Sequence, residues 1–193
     1  MLKKNKCSTE LNIKLIEEVV NLVENPVILK GKFDKKYLSL PDELLNLTMI
    51  KHQRYFPMKL DIDNKLTNNF LFVANNFDSK NLITKGNEKV IDARLSDAKF
   101  FWDKNKKQSL VKQVTKLNSI VFYQKLGSLY DKTQRVRQLS SVIADSIGAN
   151  KADTEIAASI SKSDLVSDLV GEYPELQGII GSYFANEQGF SIE

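Results

Sequence analysis

Apolar residues recur at helical spacing at Ile13, Ile16, Val20 and Val23, and Pro26 ends that run before the short apolar stretch Val27-Ile28-Leu29. The pattern predicts helix, turn and strand in that order. A second helix is predicted from Pro41 to about His52, because proline suits a first helical turn and Asp42 and Glu43 sit where the helix dipole favours negative charge. Residues 55–60 and 70–75 are short, aromatic and apolar, with the turn-forming DIDNK at 61–65 between them, so they are predicted to pair as antiparallel strands. From Asn87, the positions Val90, Ala93, Ala98 and Phe101, with Ile91 and Leu95 beside them, trace a helix to about Trp102. A polar, lysine-rich break follows at 104–109.

Beyond that break the periodicity is helical throughout. Helices are predicted over 110–117, 129–147, 154–160, 163–171 and 174–186. The longest carries Leu129, Val136, Leu139, Ile143 and Ile147 near one face and has Gly148 as a natural C-cap. The expected fold class is therefore an α+β segment over 1–105 followed by an all-α segment over 106–193. No internal repeat or low-complexity tract interrupts either part.

Composition adds bounds. With 193 residues, 42% of them hydrophobic and 27% charged, the chain can bury one full core or two small ones. No run of about 18 apolar residues is present, and the opening MLKKNK is basic without the apolar stretch of a secretory signal, so no membrane partner and a cytoplasmic location are expected. The single cysteine, Cys7, has no internal disulfide partner and falls near an end expected to fray. Basic residues are unevenly placed: residues 1–110 hold 20 Lys/Arg against 14 Asp/Glu, and residues 111–193 hold 8 against 10. The first half is thus the better surface for a polyanion.

Two clusters carry candidate chemistry. Lys51-His52-Gln53-Arg54-Tyr55-Phe56 sets two cations, an imidazole, an amide and two aromatics at a helix-to-strand junction. Such a group can hold phosphates through Lys and Arg while a ring stacks on an unpaired base; equally, Tyr55 and Phe56 can be core residues with solvated cations beside them. His52 is the only histidine, which leaves it without a second imidazole for a metal and without a nearby carboxylate to orient it as a base. Gly86-Asn87-Glu88 is read as the entry to a helix carrying Lys89, Arg94 and Lys99, where backbone N–H groups can face an anion; a plain helix start explains the same letters. Arg94 and Asp97, three residues apart, can form an exposed ion pair worth about 0.2–0.5 kcal/mol.

Three blocks in order carry a family resemblance: LPDELLNLTMIKHQRYFP at 40–57, TKGNEKVIDARLSDAKFF at 84–101 and KSDLVSDLVGEYPELQGIIGSYFA at 162–185. Together they resemble the glycyl-tRNA synthetase beta subunit of the bacterial two-subunit enzyme. The resemblance runs from about Glu17 to Glu193 and corresponds to an internal part of a family member, so the chain is expected to be an excised piece or the product of a split or decayed gene. It implies tRNA-contact residues among Lys51, His52, Gln53, Arg54, Tyr55, Asn87, Glu88 and Arg94, with no catalytic or metal-binding residue. It also implies that the all-α segment is a degenerate form of the HD phosphohydrolase fold: an active site of that kind needs several His and Asp ligands, and residues 107–193 hold no histidine. Asp164 is then expected to cap a helix or pair with a cation.

Neither the signature motifs of the synthetase classes nor a G-x-x-x-x-G-K-[ST] phosphate loop is present. No cofactor is expected on this chain, and the resemblance assigns ATP and magnesium to the alpha subunit. The implied partners are that alpha subunit, glycine tRNA and the other portions of a beta subunit. The competing expectation is a scaffold fragment that supports the assembly without touching RNA.

Overall fold

The computed structural model describes residues 7–9 and 11–191. The basic opening, residues 1–6, and the last residues, 192–193, lie outside the described residues. The chain divides into two compact units, one up to Phe100 and one from Phe101.

The first unit is built on a four-stranded antiparallel sheet of strands β1 (Cys7–Ser8), β2 (Val27–Lys32), β3 (Phe56–Leu60) and β4 (Leu66–Ala74), in the order β1-β3-β4-β2. Alternation along the strands sorts the side chains by face. Leu71 and Met58 pack with Cys7 and the half-buried Phe56, while Phe70 is fully buried among the rings of Tyr55 and Phe72. Cys7 therefore does not sit on a frayed end: it pairs with Leu60 across β1 and β3 and is buried.

Helix α1 (Ile13–Val20) is capped by the Asn12 side chain, which accepts from the Leu15 N–H. Helix α2 (Asp42–Asn46) passes into a wide π-helical turn, Leu47–His52, where the buried Thr48 hydroxyl bonds back to the Leu44 carbonyl. Helix α3 (Leu82–Lys106) starts earlier than the periodicity predicts. Asp78 explains the shift, because its two carboxylate oxygens accept from the N–H groups of Ile83 and Thr84, at 3.0 and 2.8 Å, and so nucleate the first turn. Gly86-Asn87-Glu88 consequently lies inside the helix, with its N–H groups turned to the intrahelical ladder instead of to an anion.

The second unit holds helices α4 (Leu110–Val114), α5 (Leu129–Ile147), α6 (Lys151–Ile160), α7 (Asp168–Glu172) and α8 (Ile179–Glu187). It is not wholly helical. Strands β5 (Val121–Tyr123) and β6 (Gly127–Ser128) form a hairpin in the stretch that helical periodicity leaves unassigned, with Gly127 at φ +81° in its turn. Ser128 then starts α5 through a capping box with Asp131. The single helix expected over 174–186 is broken at Gly178, φ +82°, into a 3-10 turn at Pro174–Leu176 and α8.

Candidate nucleic-acid interface

Lys51 and His52 end the π-helical turn, Lys51 exposed and His52 half-buried. The next corner is formed by Arg54, whose φ of 57° lies in the left-handed region that costs a side-chain-bearing residue about 1–2 kcal/mol. Two bonds fix the corner: the Arg54 N–H to the Ile50 carbonyl at 3.1 Å and the Tyr55 N–H to the Met49 carbonyl at 2.8 Å. The guanidinium stands in solvent and meets Glu18 of α1 at 2.6 Å. Exposed pairs of this kind contribute at most about 1 kcal/mol, so this ion pair does not by itself account for an arginine where glycine or asparagine would be the easier residue.

The remaining sequence candidates separate by role. Tyr55 is 4% exposed and its ring stacks on Phe70, centroids 4.5 Å apart and 12° from parallel. Its face is thus occupied by the core and offers no platform to a base. The Tyr55 hydroxyl donates to Asn87 Oδ1 at 2.6 Å, and Asn87 Nδ2 donates to the Ile83 carbonyl at 2.9 Å, so this pair ties β3 to α3. Glu88 Oε1 accepts the Lys32 N–H at 3.0 Å and holds the end of β2. Gln53 is half-buried, and Arg94 is exposed without an ion pair to a described residue, Asp97 included. The structure therefore brings Lys51, His52, Gln53 and Arg54 together at one corner and gives Tyr55, Asn87 and Glu88 hydrogen-bond partners within the fold. Glu18, which holds the arginine, was not foreseen: it lies 36 residues away and carries no local signal.

Burial pushes the Tyr55 phenol up to about 12. The folded value lies above the unfolded value near 10, so the stabilising contribution is complete below pH 10 and is lost as pH climbs toward 12. Urea unfolding between pH 9 and about 11.5 is expected to show wild type losing more stability with pH than Tyr55→Phe, since the phenylalanine cannot ionise. Parallel pH dependences for the two proteins would contradict this.

In the second unit Asp164 is 2% exposed, and its Oδ2 accepts the N–H groups of Gly178 and Gly181 at 2.5 and 3.2 Å. Of the two roles expected for it, it fills the first, capping α8. Asn105, 2% exposed, does comparable work that the sequence did not reveal: its Oδ1 accepts the Leu169 N–H at 2.9 Å and its Nδ2 donates to Asp168 at 3.1 Å. Among the described residues no group of three His, Cys, Asp or Glu is placed to hold a metal ion, and no helix is long and apolar enough to cross a membrane.

The family model described as glycyl-tRNA synthetase beta subunit matches residues 1–193. The glycine–tRNA ligase beta subunit of Neisseria meningitidis serogroup C (strain 053442) is 44% identical over 180 residues, covering 93% of this chain and 26% of the relative. That of Listeria welshimeri is 45% identical over 179 residues, covering 91% and 26%, and that of Dechloromonas aromatica 43% over 182 residues, covering 93% and 25%. The chain spans about a quarter of the length of these curated relatives. At that level of identity across nearly all of its residues, the chain belongs to the glycyl-tRNA synthetase beta-subunit family.

Proposed function

We propose that this chain supports glycyl-tRNA synthesis as a non-catalytic part of a beta subunit, contacting the phosphate backbone of glycine tRNA through the Lys51–Arg54 corner. Adenylation, with its ATP and magnesium, falls to the alpha subunit in this reading, and the setting is the cytoplasm. The observation that carries the RNA contact is Arg54. A left-handed backbone there holds a guanidinium in solvent beside the exposed Lys51, at the end of a π-helical turn. Strained backbone clusters at functional sites, and Arg and Lys together provide a directional and a point-charge phosphate contact. We read the second unit as a degenerate HD-like helical domain, on the strength of its helical build and of the Lys162-Ser163-Asp164-Leu165 block.

The test is salt-dependent binding of the purified chain to glycine tRNA and to an unrelated tRNA, for wild type and for Lys51→Ala with Arg54→Gly. Glycine at position 54 removes the side chain without disturbing the left-handed corner. Loss of two phosphate contacts is expected to flatten the slope of log K against log salt by about 1.5 and to weaken binding about ten-fold or more. An unchanged slope in the double variant would remove these residues from the interface.

A specific observation favours assembly as a second role. On α5 the residues Leu139, Ile143 and Ile147 are 65%, 56% and 72% exposed at helical spacing, an apolar stripe of the kind that marks a protein contact.

A further inference from the structure

We infer that a second RNA-backbone site lies in the first unit, in the open groove between the end of β2 and the first half of α3. This rests on the tRNA-contact reading above and adds a surface to it that the family-resembling KHQRYF block does not include. The groove is about 860 Å3 in volume. Lys32 and Lys35 stand on one wall and Lys85 and Lys89 on the other. All four are exposed, and none has an ion pair or side-chain hydrogen bond to a described residue.

The three carboxylates of the groove do not cancel its four lysines. Asp34 takes the Lys36 N–H at 2.9 Å and the Lys36 ammonium at 3.4 Å, and that engagement holds its carboxyl below the ordinary aspartate value. Glu88 takes the backbone N–H of Lys32. Asp34 is balanced by Lys36, and Glu88 and Asp92 set two negative charges against the four unpaired ammonium groups, which leaves the groove with a positive excess.

The shape argues for a chain-like anion. Lys85 and Lys89 are four residues apart on one helix and so point from one face, and the groove they share with Lys32 and Lys35 has a volume far larger than one phosphate group fills. Unpaired lysines are strongly hydrated point charges without fixed geometry. They suit a string of phosphates whose sequence is not being read, in contrast to the bidentate fork of an arginine. The predicted ligand is therefore the sugar–phosphate backbone of an RNA, bound with little base preference. An acidic protein surface is the rival occupant.

The experiment is anisotropy titration of labelled glycine tRNA and an unrelated tRNA over 50–300 mM salt, for wild type, for Lys85→Ala with Lys89→Ala, and for the Lys51/Arg54 double variant. Alanine favours helix, so the first pair of changes leaves α3 intact, which circular dichroism checks. The lysine pair is expected to lower affinity about five- to ten-fold for both tRNAs and to flatten the salt slope by about 1.4–1.8. Normal binding and slope in this pair, with loss only in the Lys51/Arg54 variant, would overturn the groove while keeping the RNA reading. Wild type that binds no RNA at any salt would overturn both. Displacement of the tRNA by poly-glutamate at lower charge concentration than by poly-uridylate would assign the groove to an acidic protein instead.

Discussion

Truncation of Phe70 to Ala is expected to cost about 3–5 kcal/mol of folding stability, the range for removing a fully buried aromatic ring. Phe70 has no solvent exposure and touches two further rings: it stacks on Tyr55 at 4.5 Å and tilts against Phe72 at 5.9 Å. It also fills space that the neighbouring strand leaves open for it. Gly31 is its register partner, and a Cβ at Gly31 would fall 2.5 Å from the Phe70 ring tip. Glycine is required at that position by the ring, not by backbone conformation. Gly31→Ala alone is accordingly expected to destabilise by about 1–3 kcal/mol through overpacking.

The two changes should not add. With Phe70 already truncated, the Gly31 methyl enters the vacated volume, so the double variant is expected to be less destabilised than the sum by about 1 kcal/mol or more. A urea-unfolding cycle over the four proteins reads this directly. Strict additivity would mean that Phe70 moves away from Gly31 at no cost. The consequence for the proposed interface is mechanical. Tyr55 follows Arg54 immediately, and its stacking on Phe70 is part of what holds the strained corner in place. Phe70→Ala is therefore expected to weaken RNA binding under conditions in which it is still folded, although Phe70 itself is inaccessible.

What the sequence revealed was set by the range of the forces involved. The α5 helix coincides with its periodicity from Leu129 to Ile147, and Gly148 stands at φ +70° as its C-cap, because both signals are local. The β3–β4 pairing was legible from aromatic, apolar composition on either side of the DIDNK turn, although β4 begins at Leu66, four residues before the predicted 70–75. The start of α3 was not, since Asp78 reaches forward across a gap to cap it and apolar periodicity carries no trace of that bond. The β5–β6 hairpin was passed over because VFYQKLGS is too short to show a period, and a single glycine at positive φ carries the turn.

The candidate site divides in the same way. Residue types at 51–56 identified the cluster, but nothing local distinguishes a stacking tyrosine from a buried one. The choice is made by Phe70 and Asn87, 15 and 32 residues away, and they claim Tyr55 for the core. The unpaired state of Lys32, Lys35, Lys85 and Lys89 is likewise a product of tertiary structure. Only the fold shows that Asp34 turns to Lys36 instead of to any of these four.

Asp164→Ala is the second large effect, with an expected loss of about 2–4 kcal/mol, because a buried carboxylate that serves two backbone donors is replaced by nothing. Gly178 and Gly181 both give their N–H groups to Oδ2, and the first turn of α8 has no other side-chain cap. The other oxygen, Oδ1, is buried and accepts no hydrogen bond from a described residue, so part of the cost of burying the group is not repaid within the chain. Asp164→Asn keeps one oxygen for the two N–H groups and relieves the buried charge, and it is expected to lose only about 1 kcal/mol. Gly181→Ala attacks the same contact from the other side: its Cβ would stand 3.0 Å from Oδ2 and 3.1 Å from Cγ, and the overpacking is set against alanine's helical advantage of about 1 kcal/mol, for an expected net cost of about 0–2 kcal/mol. In thermal or urea unfolding, a loss larger for Asp164→Ala than for either Gly181→Ala or Asp164→Asn would establish the residue as a helix cap. Unaltered stability in Asp164→Ala, accompanied by weaker tRNA binding, would instead make the carboxylate part of the functional surface and remove the structural account of why the KSD block is present in this chain.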